Sequence, residues 1–163
     1  MRVPVAPMKN KLGLNAVPVR MRPLAALLVF AASSGYALDA ARLMSGLTWE
    51  KRVLLVFAPD RQDAELRRQN TMLAAIGDGL VERDMIVIRA FADDRVAVDG
   101  HIHEQSASSF YRRFEVDRDE FRVILVGKDG GVKLDRNLAV SGDDLFALID
   151  SMPMRRYEMQ QDG

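Results

Sequence analysis

The chain has no cysteine in its 163 residues. That one absence removes disulfides, thiolate zinc sites, thiol peroxidase chemistry and a lipidated N-terminal cysteine. Stability must then come from the core alone. Net charge is also missing, because 23 basic residues balance 23 acidic ones, and no overall field recruits nucleic acid or an anionic membrane. Partners must be recognised locally. No Gly-x-Ser-x-Gly elbow is present, so Ser106, Ser108 and Ser109 near His101 and His103 carry little weight as a hydrolase site. The 48% hydrophobic and 28% charged residues that are present suit one globular domain with its own core.

The N-terminal stretch has a secretory layout. Lys9, Lys11, Arg20 and Arg22 precede an apolar run over residues 23–32, too short to span a bilayer comfortably, and Gly35 and Ala37 are the small residues a signal peptidase accepts. Cleavage after Ala37 makes residues 1–37 a signal peptide and 38–163 the exported domain, periplasmic or secreted. An uncleaved anchor or a core helix is the alternative, and Met1, Met8 and Met21 are candidate starts.

Residues 121–126 form an apolar, β-branched run of strand length, and the pattern resumes at 132–134 after Gly127-Lys128-Asp129-Gly130-Gly131. Asp129-Gly130 is a hairpin dipeptide, with Gly127, Gly130 and Gly131 expected to supply positive φ. Residues 53–57 are a second continuous apolar strand, as expected of a strand covered on both faces. From 60 to 83 the period becomes helical, with Leu66, Met72, Leu73, Ile76 and Leu80 on one face, Asp60 or Asp63 as cap, and Gly77 and Gly79 weakening the last turns. Residues 85–91 are a third strand, and the polar stretch 92–105 is a loop or small excursion. Helices follow at 106–116, capped by Ser106, and after Ser141, where Leu145, Phe146, Leu148, Ile149 and Met152 make an apolar face that Pro153 ends. One further turn starts over 154–159. A short leading helix at 38–46 stops at Gly46. The order β-α-β-α-β-β-α after a leading helix is that of an α/β, thioredoxin-like fold, a three-layer α/β/α arrangement.

Residues 47–58, 82–84, 125–133 and 149–156 resemble the domain-of-unknown-function family 4174, most specifically through Gly-Lys-Asp-Gly-Gly at 127–131 and Met-Pro-Met-Arg-Arg at 152–156. The resemblance covers nearly all of 38–163. That family includes short secreted bacterial proteins and domains of animal extracellular proteins, sushi-repeat and matrix-associated proteins among them. It implies a thioredoxin-like or peroxiredoxin-like fold and export, and it brings no settled activity.

In thioredoxin-like proteins the active cysteines follow the first strand of the β-α-β unit, at the start of the next helix. Here that place reads Ala-Pro-Asp-Arg-Gln-Asp at 58–63, and the position of the redox proteins' cis-proline falls at Asp119-Glu120-Phe121. Thiol redox activity is therefore not expected, and enzyme activity of any kind is not indicated. A helix N-terminus still favours an anion, which makes Pro59, Asp60, Arg61, Gln62 and Asp63, with Asp119, Glu120 and Phe121, the candidate ligand edge. Asp60 and Asp63 also read as helix caps.

His101, His103 and Glu104, with Asp93, Asp94 and Asp99 nearby, form the one cluster of metal donors, suited to zinc, copper or nickel. Two histidines in a polar loop are more often solvated, since a site needs three or four converging ligands. Arg61, Arg67, Arg68 and Gln69 read as a solvated helix face, Lys128-Asp129 as turn chemistry, and Arg155-Arg156-Tyr157-Glu158 as a surface contact. The leading expectation is an exported, non-redox binding or interaction module. Its partner is a protein or small molecule of the envelope, with no nucleic acid, no cofactor, and membrane contact only through the signal segment before cleavage. The alternative is a metal-binding protein or metal-dependent enzyme using His101 to Glu104.

Overall fold

A computed structural model describes residues 39–103 and 107–161. In chain order the elements are α1 (Ala40–Leu47), β1 (Arg52–Ala58), α2 (Ala64–Ala74), α3 (Gly77–Glu82), β2 (Met85–Phe91), β3 (Val96–Val98), β4 (His101–His103), α4 (Ala107–Phe114), β5 (Arg122–Val126), β6 (Val132–Arg136), α5 (Gly142–Asp150) and α6 (Pro153–Gln161). The strands form a single mixed sheet in the order β4-β3-β2-β1-β5-β6. β1 and β2 run parallel, and every other neighbouring pair is antiparallel.

The unbroken apolar run of β1 is explained by its place in the middle of three layers, where all seven residues are buried. Alternation sends Val53, Leu55 and Phe57 to the layer of α1 and α4, where Met44, Phe110 and Tyr111 meet them. Leu54, Val56 and Ala58 face the other layer, against Leu66 and Leu73 of α2 and Leu145 and Ile149 of α5. Each fully buried Leu, Ile, Val or Phe contributes about 1.5–3 kcal/mol, and these two apolar layers replace the cross-links the chain lacks. The expected α/β/α layering and element order are present.

Several local expectations are corrected. The helix expected over 60–83 is two helices, because Ile76 leaves helical geometry at φ −125° and ψ 23°. Gly79 has a packing role in α3, since a Cβ there would lie 2.5 Å from the Phe146 ring of α5. The polar stretch 92–105 contains β3 and β4, which extend the sheet beyond β2. Of the three hairpin glycines only Gly130 has a positive φ, at 78°, so one residue makes the reversal. Gly46 lies inside α1, whose cap is Thr48, and α6 runs for nine residues from Pro153 rather than one turn. Asp63 and Ser141 cap α2 and α5 as the sequence indicates, while Ser106 lies outside the described residues.

Candidate functional site

The strand register decides which loops meet. Ala58 pairs with Phe91 and Phe57 with Arg122, so β1 and β2 finish where β5 begins. Loop 59–63 and the turn ending at Phe121 therefore leave the sheet at the same end. Within that loop the carboxylates are already used. Asp60 accepts from the Gln62 N–H at 2.6 Å, Asp63 accepts from the Leu66 N–H at 2.8 Å, and the Gln62 carbonyl accepts from Arg67. Pro59 is half-buried, Asp119 and Glu120 are exposed, Glu120 lies 3.4 Å from Arg122, and Phe121 is buried in the core. Among the described residues every peptide bond is trans.

Arg61 is the cation of this loop, its guanidinium 5.3 Å over the Phe91 ring. Next to it opens a cleft of about 370 Å³, lined among others by Arg61, Asn70, Arg89, Phe91, Ala97 and Ile102. Beneath this end, the Tyr111 hydroxyl lies 3.1 Å from both the Ala58 and Ala90 carbonyls and ties β1 to β2. Burial pushes that phenol up to about 12, so it stays protonated as a donor.

The histidine segment forms β4, where His101 pairs with Val98 and His103 with Val96. His101 is exposed, and Glu104 and the His103 side chain lie outside the described residues. The nearby carboxylates have other partners. Asp93 pairs with Arg95, Asp94 accepts from the N–H and hydroxyl of Ser108 at 2.7 and 2.6 Å, and Asp99 accepts from the Val87 N–H at 3.1 Å. Among the described residues no group of three His, Asp or Glu is placed to hold a metal ion.

At the opposite end of the sheet is a cluster that pattern reasoning did not assemble. Arg52, 1% exposed, donates to both carboxylate oxygens of Glu158 at 3.1 Å and to the Arg83 carbonyl at 2.9 Å. Lys128 reaches Glu158 at 2.8 Å and Asp84 at 2.9 Å. Arg83 grips Asp150 through two bonds of 2.9 and 2.7 Å, while its guanidinium lies 4.1 Å over Phe146. Arg155, read from sequence as a surface contact, is 4% exposed and bonds Glu82 and Asp150. Its correction has a simple cause: Pro153 starts α6, which turns Arg155 inward. Gln69 is corrected likewise. It is fully buried and clasps Val140, accepting from its N–H at 2.7 Å and donating to its carbonyl at 3.1 Å.

Electrostatics follow from these contacts. The Arg83 hydrogen bond holds the Asp150 carboxyl below its usual range, and Lys128 does the same for Asp84. Burial works to raise the Glu158 carboxyl, yet Lys128 and Arg52 hold it low. A second cleft, about 410 Å³, opens beside the cluster between Arg52, Lys128, Lys133, Met152, Pro153 and Met154. Each of the four stretches that carry the family resemblance contributes here: Arg52, Arg83, Lys128 and Arg155 come from one apiece. Only the tertiary structure shows why those separated pieces belong together.

Comparison with known proteins agrees with this architecture. Residues 43–158 match the family described as Domain of unknown function (DUF4174). The sushi repeat-containing protein SRPX2 of Xenopus laevis is 25% identical over 118 residues, covering 69% of this chain. The chain spans 25% of the length of that relative. Among solved structures, the reduced 2-Cys peroxiredoxin of Plasmodium vivax superposes with a TM-score of 0.53 at 18% identity, over 71% of this chain and 83% of that one. Thioredoxin peroxidase I of Plasmodium yoelii gives 0.51 at 19% identity, over 71% and 79%. These likenesses establish the thioredoxin-like fold, and at such identity they carry the fold alone.

Proposed function

The chain belongs to the DUF4174 family, and on that premise we propose that it is an exported, non-redox binding module. Its ligand sits at the end of the sheet where β1 and β2 finish and β5 begins. One observation carries this reading: a thioredoxin-like fold whose loop after β1 has no thiol, and whose carboxylates are spent on capping, keeps an open cleft at that end. Ligands of open α/β sheets favour the crevice beyond the strands' C-terminal ends, and β1 and β2 supply such ends here. Export is supported by the basic, apolar and small-residue succession over residues 9–37.

The test takes full-length protein expressed in a bacterial host, recovers it from cell fractions and reads its N-terminus by mass spectrometry. The same material is assayed for peroxide consumption and insulin disulfide reduction, then screened by thermal shift against a small-molecule panel. The expected result is an N-terminus at Leu38 in the envelope fraction, no turnover in either assay, and ligands that raise Tm. Turnover by the isolated protein overturns the non-redox reading, since no residue of the chain can act as a peroxidatic thiol. A full-length cytoplasmic product overturns export.

A further inference from the structure

Arg89 is a cation with no carboxylate at ion-pairing distance among the described residues. It stands within β2 between Ile88 and Ala90, which are 0% and 1% exposed, and strand alternation puts it on the face of Val87 and Phe91, under α2. Its Nε donates to the neutral Oδ1 of Asn70 at 2.8 Å, and among the described residues that is its hydrogen-bond partner. Arg52, Arg83 and Arg155 each hold a carboxylate at ion-pairing distance, whereas among the described residues Arg89 holds none. Burial accordingly pulls the Arg89 guanidinium down, with the Asp99 charge opposing from beyond ion-pair range. A half-buried guanidinium keeps the rest of its donor fork for something else.

The cleft in front of it has a topological origin. β3 and β4 widen the sheet past α2, and the register aligns Arg89, Ala97 and Ile102 in one row across β2, β3 and β4. That row is covered at Ala97, 7% exposed, and open at Ile102, 52% exposed. Arg61 borders the same cleft from the loop after β1, and it too lacks an ion pair among the described residues. Asp93 feels the Arg61 charge, but its carboxylate is bonded to Arg95.

We propose that this cleft binds an organic anion, a carboxylate received by Arg61 and Arg89 with an apolar body laid along Phe91, Ala97 and Ile102. The inference rests on the binding-module reading and names its ligand class. Guanidinium forks match the planar carboxylate in bidentate fashion. The same forks also match phosphate, and it is the apolar lining at Phe91, Ala97 and Ile102 that favours an organic anion over the bare ion. A volume of about 370 Å³ suits a body of one ring or a short chain.

The test uses the full chain with 3-phenylpropionate as probe, 3-phenylpropionamide as its neutral counterpart and inorganic phosphate as the bare anion, followed by calorimetry and amide NMR. The acid is expected to bind and to shift the amide signals of Asn70, Phe91 and Ala97, with the other two probes weaker by about tenfold or more. Arg61→Ala and Arg89→Met should each weaken the acid by a similar factor. Arg89→Met should also keep or raise Tm, since it removes an uncompensated charge, whereas an arginine needed for folding would lower it. Equal binding of the amide, equal binding of phosphate, or acid binding untouched by both variants overturns the proposal. So does a lack of acid binding by the wild type. If neutral members of the thermal-shift panel still bind, the module reading survives that result. Peroxide or disulfide turnover sinks the module reading whatever the acid does.

Discussion

Gln69 shows how much one side chain can decide. Its sequence neighbours Arg67 and Arg68 are exposed, yet Gln69 is buried and satisfies both backbone groups of Val140, 71 residues away. A buried amide that replaces a missing strand partner is a structural clasp, because an unmade backbone bond in the core costs about 1–3 kcal/mol per group. Gln69→Leu is therefore expected to destabilise by about 2–5 kcal/mol, seen as a lower urea midpoint with little change in slope. Arg68→Leu, on the exposed turn beside it, should stay within about 0.5 kcal/mol of wild type. A Gln69→Leu midpoint equal to that of Arg68→Leu would refute the clasp. Helical spacing alone indicated neither outcome, because residues 67, 68 and 69 all read as polar.

At the scale of elements, α6 is more than a tail. It brings Arg155 and Glu158 under the sheet end, and Glu158 is the carboxylate that both Arg52 and Lys128 share. Ending the chain at Met152 removes the Glu158 carboxylate from Arg52 together with the helix that helps cover it, and breaking a buried pair costs up to about 3–5 kcal/mol. The truncated chain is expected to lose most of its cooperative thermal transition, while Glu158→Gln should keep the fold at a reduced Tm. A truncated chain as stable as wild type would mean the ionic cluster contributes nothing. The strands around this end were legible in advance: residues 53–57, 85–91 and 121–126 fall on β1, β2 and β5. The extra hairpin β3–β4 was not, because strands of three residues set among charged neighbours carry too short an alternation to be seen.

For the molecule as a whole, ion pairs in place of disulfides give a definite response to pH. Asp84 and Asp150 are held below 3.8, and Glu158 below 4.5, so their folded values lie under their unfolded ones. Such groups stabilise the native state above the unfolded value, and that contribution fades as pH falls through the folded value. Lys128 is raised above 10.5 and Tyr111 to about 12, so their contributions persist below about pH 10 and fade above it. Stability measured by urea midpoint should be flat between about pH 5 and 9, then decline on both sides, with the acid limb shallower in Glu158→Gln. An acid limb unchanged by that substitution would exclude Glu158 as its source.

The sequence by itself determined what depends on near neighbours in the chain and on composition. The absence of thiols set the redox limit, apolar runs set the strands of a three-layer fold, and Asp63 and Ser141 set helix starts, because strand alternation and capping act within about four residues. The candidate edge at 59–63 and 119–121 could be named from the order of elements. Its cleft could not, because the row Arg89, Ala97, Ile102 that lines it exists only through the pairing of β2, β3 and β4. Only the tertiary structure decided which charges are matched. Arg52 meets a carboxylate 106 residues away while Arg89 meets none among the described residues, and closure of the chain, not local spacing, brings a partner to a charge or withholds it.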